Sequence, residues 1–304
     1  MKVRPLARGE EGRAQELLRG EPVRNIILSS LLSEHGLSDP RSRGKFYGCF
    51  REGRLAGVAL VGWHTLLACG EEEASAFGQA ARRAHAEELN LLLAGPREAE
   101  AFRESFYSQG GACARRPPAE SNLMLSLTAA DSAALDRYDA DVRPALPSEA
   151  GEVARLHSQG SLALYGSDPA EADPVGYGER VRERVGGRRV WVICDGRGIA
   201  FKTDLAAQYG GVVYLEGVLT RPDLLGAGTG TRAFGSLCRK LLRGYDTLCL
   251  LVAEENTRAL DFYRRIGFRT HSRHSLLRWR RPAAAHTHAP PAHADAAAEH
   301  AVFV

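Results

Sequence analysis

Residues 212–231 read VVYLEGVLTRPDLLGAGTGT. The first nine are mostly apolar or β-branched, which predicts a buried strand. A proline turn follows, and three glycines then alternate with small residues before a helical pattern begins. Glycine permits backbone conformations in which successive N–H groups converge, and the N-terminus of a helix adds partial positive charge. The segment therefore predicts a strand, a phosphate-binding turn and a helix.

The glycine pattern alone is a weak signal, because glycines also cluster in ordinary tight turns. A dinucleotide-binding fold would place the glycines after its first strand, with an acidic residue about 20 residues later. Here they follow three predicted strands, and no such acid is evident at residues 247–253. The lysine of a P-loop is absent as well, since Thr231 is not preceded by lysine. Both of these nucleotide-binding folds are therefore disfavoured.

The neighbouring elements indicate the fold class. The predicted elements are strands at 190–194, 199–205 and 212–220, a helix ending at Gly244, a strand at 247–252, a helix at 257–266 and a strand at 275–279. This order predicts an α/β sheet with helices packed on it. Residues 166–178 are rich in proline, glycine and acidic residues, which predicts a loop.

Two echoes within the chain predict an internal repeat. Residues 3–6 read VRPL and residues 142–145 read VRPA, and each stretch precedes an amphipathic helical pattern. Phe-Tyr followed shortly by glycine occurs in helical patterns at residues 97–110 and 258–267. Two copies of one α/β unit would explain both echoes.

The boundary between the copies is predicted near Tyr138, because residues 128–141 are small and polar. The predicted domains are 1–138, 139–281 and a tail at 282–304. The tail is mainly alanine, proline and histidine without periodicity, which is typical of disorder.

Composition narrows the functional classes. A length of 304 residues allows two domains, and a net charge of +3 is too small to indicate nucleic-acid binding. The sequence has no run of eighteen apolar residues and no apolar segment near its start, so neither a membrane span nor a secretion signal is expected. The six cysteines form no CxxC pair, which favours reduced thiols over disulfides or zinc. We expect a cytoplasmic protein with no metal, nucleic-acid or membrane partner.

Three motifs together resemble the GNAT superfamily of acyl-CoA-dependent N-acetyltransferases. They are Val-Leu-Thr-Arg-Pro at 218–222, Leu-Gly-Ala-Gly-Thr-Gly at 225–230, and the Asn-x-x-Ala-x-x-Phe-Tyr-x-x-x-Gly-Phe pattern at 256–268. The resemblance covers roughly residues 141–280, and the first half is similar to the degenerate leading lobe of a bacterial two-lobed subgroup. It implies tandem GNAT-like mixed sheets flanked by helices, an α/β (α+β) fold.

The resemblance also implies roles for individual residues. Acetyl-CoA is the expected co-substrate, with its pyrophosphate on the loop amides and its pantetheine arm along the preceding strand. Tyr263 would protonate the leaving thiolate and Glu216 would act as the base. The residues implied to bind CoA are Val218, Leu219, Thr220, Leu225, Gly226, Ala227, Gly228, Thr229, Gly230, Thr231, Asn256 and Tyr263.

Each role has a structural alternative. Tyr263 is also a candidate core aromatic residue, Glu216 a salt-bridged or exposed strand residue, and Asn256 a helix cap. The family usually has arginine or glutamine where this chain has Leu225, so weaker CoA binding is expected, and Arg221 is a candidate replacement. A catalytically inactive acyl-CoA sensor or scaffold is the alternative function, and a purely structural protein is the third.

The acceptor is expected to be a small-molecule amine or a peptide N-terminus, and a homodimer is compatible with the sequence. His157 and Tyr165 are candidates for the acceptor pocket. The first lobe is expected to shape or cover the acceptor site without binding CoA, because residues 71–73, three glutamates, stand where a phosphate would need positive potential.

Overall fold

The computed structural model describes residues 1–85, 89–108, 116–165 and 168–279, without the side chains of residues 163–165, 172 and 174. These residues form two compact units, 1–124 with 272–279, and 125–271. The predicted tail at 282–304 and the side chain of Tyr165 lie outside the described residues. Every helix in the described ranges is too short or too polar to cross a membrane.

The first unit is an α/β layer structure. Its elements are β1 (Lys2–Pro5), α1 (Glu11–Leu18), α2 (Ile26–His35), β2 (Gly44–Arg51), β3 (Arg54–Gly62), β4 (His64–Ala68), α3 (Glu71–His85), β5 (Leu91–Ala94), α4 (Pro96–Tyr107) and the start of β6 (Ala119–Thr128). Strands β1 to β4 pair antiparallel in sequence order, and β4 pairs parallel with β5. Apolar side chains of α3 and α4, including Phe77, Phe102 and Phe106, form the core with the sheet.

The second unit repeats this plan. Its elements are β7 (Arg143–Pro144), α5 (Ala150–Tyr165), α6 (Pro169–Ala172), α7 (Pro174–Gly186), β8 (Val190–Asp195), β9 (Gly198–Tyr209), β10 (Val212–Thr220), α8 (Thr229–Leu241), β11 (Thr247–Ala253), α9 (Thr257–Ile266) and the start of β12 (Arg269–Arg278). Strands β7 to β10 pair antiparallel in order, and β10 pairs parallel with β11. The α/β class and the predicted hairpin of β8 and β9 are confirmed.

The helices of the second unit form two distinct packing clusters. Val153 and Leu156 of α5 and Val181 of α7 pack with Leu219 of the sheet. Helices α8 and α9 instead join an aromatic cluster with the sheet, made of Phe201, Phe234, Phe262, Tyr263 and Phe268. The residue types thus divide the core into an aliphatic layer and an aromatic layer.

The predicted repeat has a physical counterpart in two identical ion pairs. Arg4 binds Glu10 through two hydrogen bonds of 2.7 Å, and Arg143 binds Glu149 through bonds of 2.9 and 2.7 Å. Each glutamate also accepts a hydrogen bond from a backbone N–H three residues before it. The arginine lowers the pKa of its glutamate to about 2 in both copies. Both units therefore begin with the same strand-to-helix connection.

The structural boundary falls between Met124 and Leu125, fourteen residues before the predicted position near Tyr138. The connecting residues are small and polar in sequence, but Leu135 and Tyr138 are buried. The Tyr138 ring lies against Gly235 of α8, where even a Cβ atom would overlap it. The connection is therefore packed as part of the second unit.

Residues 169–178 were expected in a loop, and the structure corrects this, since they form α6 and the start of α7. The side chain of Asp168 accepts a hydrogen bond from the Ala170 N–H, and Asp173 accepts one from the Gly176 N–H. Proline follows each aspartate at the first helical position, where its missing N–H costs nothing. The same Asp-Pro pairs that suggest a turn are here two helix starts.

A substitution at Gly78 tests how closely α3 packs on α4. A Cβ atom at this position would overlap the carbonyl oxygen of Phe102, so we expect Gly78→Ala to lower the free energy of unfolding by about 1–3 kcal/mol. Gly12 in α1 has open space around it, so Gly12→Ala is expected to raise that free energy by about 0.5–1 kcal/mol. Urea unfolding of both variants measures the difference. Equal effects would contradict the packing of α3 on α4.

Candidate functional site

Strands β10 and β11 of the second unit are neighbours, but they pair only over their first three residues. The parallel ladder joins Val212–Tyr214 of β10 to Thr247–Cys249 of β11 and ends there, although both strands continue. On its other side, β10 has a register shift against β9 between Glu216 and Leu219, and Gly217 within it has φ +57°. A bulge of this kind bends and twists a strand. Residues 215–220 thus leave an unpaired edge on which an extended ligand can form strand-like hydrogen bonds.

The glycine loop follows the open end of β10. Residues Pro222–Leu224 form a 3₁₀ turn, and Gly226 and Gly228 have φ of +80° and +77°. Gly228 precedes the first residue of α8, so the unpaired N–H groups of the first helical turn point out of the helix end. The N–H groups of Leu225 and Ala227 donate within the turn itself. The loop therefore has the geometry of an anion-binding helix N-terminus.

A cavity of about 230 Å³ opens at this loop. It is lined by Thr220, Leu224, Leu225, Gly226, Gly228, Gly230, Thr231, Arg258, Phe262 and Arg265. Among the described residues, the buried hydroxyl of Thr220 has no hydrogen-bond partner. A Cβ atom at Gly230 would lie against that hydroxyl, so only glycine lets α8 approach the strand this closely. Of the predicted residues, Thr220, Leu225, Gly226, Gly228, Gly230 and Thr231 thus line one cavity, and Ala227 and Thr229 are not among its lining residues.

Arg221, considered above as a replacement for the missing loop arginine, is bound elsewhere. Its guanidinium donates to Asp195 at 2.6 and 3.0 Å and to Asp223 at 2.7 Å. These hydrogen bonds lower the pKa of Asp195 to about 2. The side chain therefore holds the turn between β10 and α8 to the turn between β8 and β9.

Arg258 and Arg265 provide the positive charge at the cavity, and neither is among the residues predicted from the sequence. Both are exposed and lie on α9, seven residues apart, with Phe262 between them. Spacings of four and three residues place all three side chains on one side of the helix. That stripe is readable from the sequence, but the sequence does not show that it faces the glycine loop.

The structure places Tyr263 inside the aromatic cluster. The side chain is 0% exposed, and its ring centroid lies 5.5 Å from Phe234, 5.1 Å from Phe262 and 5.7 Å from Phe268. This packing is the core role named above as the alternative for Tyr263. The role of Tyr263 as an acid stays a prediction.

Asn256 and Glu216 occupy two further positions of interest. The Asn256 Oδ1 atom accepts a hydrogen bond of 3.0 Å from the Ala259 N–H, so this side chain caps α9. Glu216 is partly buried on β10 and lies directly opposite Asp204 of β9. Of the other predicted ligands, Val218 and Leu219 are buried in β10 beside the bulge.

His157, predicted as a candidate for the acceptor pocket, is buried in the interior of the second unit. It is 1% exposed, and its Nδ1 atom lies 3.1 Å from Lys202 Nζ. Burial is the main cause that lowers the pKa of His157 well below its usual value, and the positive charges of Lys202 and Arg184 lower it further. The imidazole is therefore neutral near pH 7.

In the first unit, the corresponding helix N-terminus is acidic. Helix α3 begins with Glu71, Glu72 and Glu73, and Arg51 of β2 binds Glu72 at 2.5 Å and Glu73 at 2.7 Å. Carboxylates near a helix N-terminus are themselves stabilised by its dipole. The partial positive charge at the N-terminus of α3 is thus already neutralised by carboxylates of the same helix.

Comparisons with known proteins agree with this geometry. Residues 193–277 match the family model of FR47-like proteins. A GNAT-family acetyltransferase from Colwellia psychrerythraea has 12% identity and a TM-score of 0.55, over 92% of this chain and all of that one. The chain has the GNAT fold.

Two further solved structures show the same fold over nearly the whole length. A tandem GNAT protein from the clavulanic acid biosynthesis pathway has 18% identity and a TM-score of 0.53, covering 91% of this chain and 98% of that one. A GCN5-related N-acetyltransferase from Sphaerobacter thermophilus has 15% identity and a TM-score of 0.58, covering 91% and 95%. No curated protein matches this chain in sequence. The predicted tandem GNAT architecture is confirmed.

A substitution at Gly228 tests whether the glycine loop binds phosphate. The positive φ of Gly228 is unfavourable for a β-branched residue, although no atom lies within 4 Å of an added Cβ. We expect Gly228→Val to weaken CoA binding by at least about tenfold, because the loop must change conformation and its amides diverge. Gly196→Val, in the open turn between β8 and β9, is the control for adding a side chain. Unchanged CoA affinity in calorimetry for Gly228→Val would exclude the loop from the binding site.

Substitutions of Arg258 and Arg265 test whether these two side chains supply the positive charge that binds CoA. Loss of one charge-assisted hydrogen bond costs about 1.5–3 kcal/mol, so Arg258→Ala and Arg265→Ala should each weaken CoA binding by about tenfold or more. The wild-type affinity should also fall more steeply with salt than that of either variant. Arg264→Ala removes an exposed arginine of the same helix that does not line the cavity. An equal effect of all three changes would indicate only a change in net charge.

Proposed function

We propose that the second unit is an acetyl-CoA-dependent N-acetyltransferase that acts on a primary amine. The observation that carries this proposal is the open edge of β10, which leads directly into the glycine loop at the start of α8. An extended thioester with a pyrophosphate at one end fits an unpaired strand edge that ends at an anion-binding turn. The GNAT acetyltransferases that share this fold support the same reaction class.

The proposed binding mode assigns each part of acetyl-CoA to one part of the site. The pyrophosphate would lie on the amides of Gly226 and of Gly228 to Thr231, since the Ala227 N–H donates within the turn, with Arg258 and Arg265 beside it. From the glycine loop, the pantetheine arm would follow the backbone from Thr220 back to Val218, towards the residues at the start of β10 that pair with β11. The buried Thr220 hydroxyl provides a donor on this path.

The proposed reaction is a direct transfer. The amine nitrogen bonds to the thioester carbonyl carbon, and the carbonyl π pair moves to oxygen. The pair returns as the carbon–sulfur bond breaks and sulfur leaves with its bonding electrons. Glu216 would accept the proton that the amine loses, and Tyr263 would supply the proton that the thiolate gains, so an N-acetyl amide and free CoA result.

A second function, CoA binding without catalysis, is favoured by one observation. The Tyr263 side chain is completely enclosed by aromatic rings, so its role as an acid requires substrate to reach it within the core. An acyl-CoA sensor or scaffold would use the glycine loop and leave Tyr263 as packing.

Thiol release distinguishes these functions. Acetyl-CoA is offered with a panel of primary amines, namely an α-amino acid, a polyamine, an amino sugar and a peptide with a free N-terminus, beside calorimetric binding of CoA. Binding with amine-dependent thiol release supports the enzyme. Binding without release supports the sensor, and the absence of both excludes the site.

Variants of the two proposed proton-transfer residues make a further test. Tyr263→Phe should lower kcat by about 10²–10⁴ with CoA affinity unchanged, because only the acid is lost. Glu216→Gln should lower activity most at low pH, where the amine most needs a base. Phe268→Leu is the control for a packing change beside Tyr263, because Phe268 contacts the Tyr263 ring and is not among the residues that line the cavity. Wild-type turnover in both Tyr263→Phe and Glu216→Gln would assign the proton transfers to other groups.

A further inference from the structure

Lys202 is a fully buried cation in the second unit. Its side chain is 0% exposed, and Nζ donates to Asp204 Oδ1 at 2.9 Å. Nζ also lies 3.1 Å from His157 Nδ1, which accepts because an ammonium group only donates. An ammonium group has three N–H donors, so these two contacts leave one N–H without a protein acceptor among the described residues.

The ammonium group lies against the bulge of β10. In the ladder of β9 and β10, Lys202 is opposite Leu219 and Asp204 is opposite Glu216, and the register shift falls between them. A Cβ atom at Gly217 would lie 2.9 Å from Lys202 Nζ. The ammonium group therefore occupies the space that a side chain at residue 217 would need, beside the register shift of β10.

The surrounding charges nearly cancel. Asp204 is 4% exposed at its side chain, and Arg184 of α7 approaches its Oδ2 atom at 3.8 Å. Glu216 faces Asp204 across the strands, and His157 is neutral. Replacing a buried ion pair with apolar residues is often neutral or stabilising, so this pair is weak evidence for a contribution to stability. The position of the pair against the bulge therefore calls for a role other than stability.

The bulge is also where the proposed reaction would occur. On the proposed function, the pantetheine arm follows β10 from the glycine loop, and the path from Thr220 to Gly217 is about 10 Å at 3.3 Å per residue. The open edge closes at Tyr214, where the ladder with β11 begins. The thioester would therefore lie beside Gly217, next to the buried ammonium group.

We propose that Lys202 is a further residue of the acyl-transfer site, held by Asp204 and His157 so that its ammonium group stabilises the negative charge that forms on the thioester oxygen. The charge forms as the amine nitrogen bonds to the carbonyl carbon, and it disappears as sulfur leaves. Lys202 keeps its proton throughout and contributes only positive charge. Such fixed charges are effective in a site from which water is excluded. The inference rests on the proposed function.

The double variant Lys202→Met/Asp204→Leu tests this role. It replaces both charges with apolar side chains of similar length, so a Tm equal to or above that of wild type is expected. CoA affinity in calorimetry should change less than about twofold. Thiol release with the amine that wild type acetylates fastest should show kcat lowered by about 10²–10³. Lys202→Met alone leaves Asp204 without its main partner, and its Tm should fall.

The control is Arg143→Met/Glu149→Leu, which removes an ion pair of the same unit at the β7 connection. It is expected to keep the wild-type kcat. A folded Lys202→Met/Asp204→Leu variant with wild-type kcat would overturn the role of Lys202 and leave the proposed function intact. If wild type releases no thiol with any amine or with water, the proposed function fails, and the role of Lys202 fails with it. A lower Tm with an unchanged kcat would show a purely structural pair.

Discussion

The separation of β10 from β11 after Tyr214 is the constraint on which the site depends. A continuous parallel ladder would use the backbone groups of residues 215–220 and close the sheet. The bulge at Gly217 directs β10 away, and the strand then ends at the glycine loop. One irregularity in a single strand therefore creates an unpaired edge and aligns it with a helix N-terminus, which together suit a long ligand with an anionic group.

Charged side chains from two different elements lie beside the open edge and the glycine loop. Leu225 in the glycine loop carries no charge, and Arg221 is bound to two aspartates. Helix α9 instead presents Arg258 and Arg265 to the cavity. At the other end of the open edge, Lys202 places a buried positive charge against the bulge. Cationic side chains thus lie at both ends of the proposed ligand path, two exposed at the glycine loop and one paired with Asp204 at the bulge.

Local sequence patterns were sufficient for much of this account. The glycine loop, the strand before it and the helix after it follow from residue types within a short window, and the structure has all three. The Asp-Pro pairs at 168–169 and 173–174 were misread, because the same residues begin turns and helices, and only the hydrogen bonds distinguish them.

Features that depend on contacts distant in sequence were not predictable. Nothing local shows that Arg265 faces residue 226, or that Lys202 of β9 meets His157, 45 residues earlier. A lysine in a strand is normally expected at the surface, and its burial here depends on Asp204 and His157, which are its partners in the interior. The burial of Tyr138 has the same origin, since it needs the absence of a side chain at Gly235.

The central claim is that one site, in the second unit, binds CoA. The first unit has three glutamates at the corresponding helix N-terminus, two of them bound by Arg51. A calorimetric titration of the full chain with CoA measures the number of sites most directly. We expect one CoA per chain. Two equivalents, or no binding at all, would contradict it.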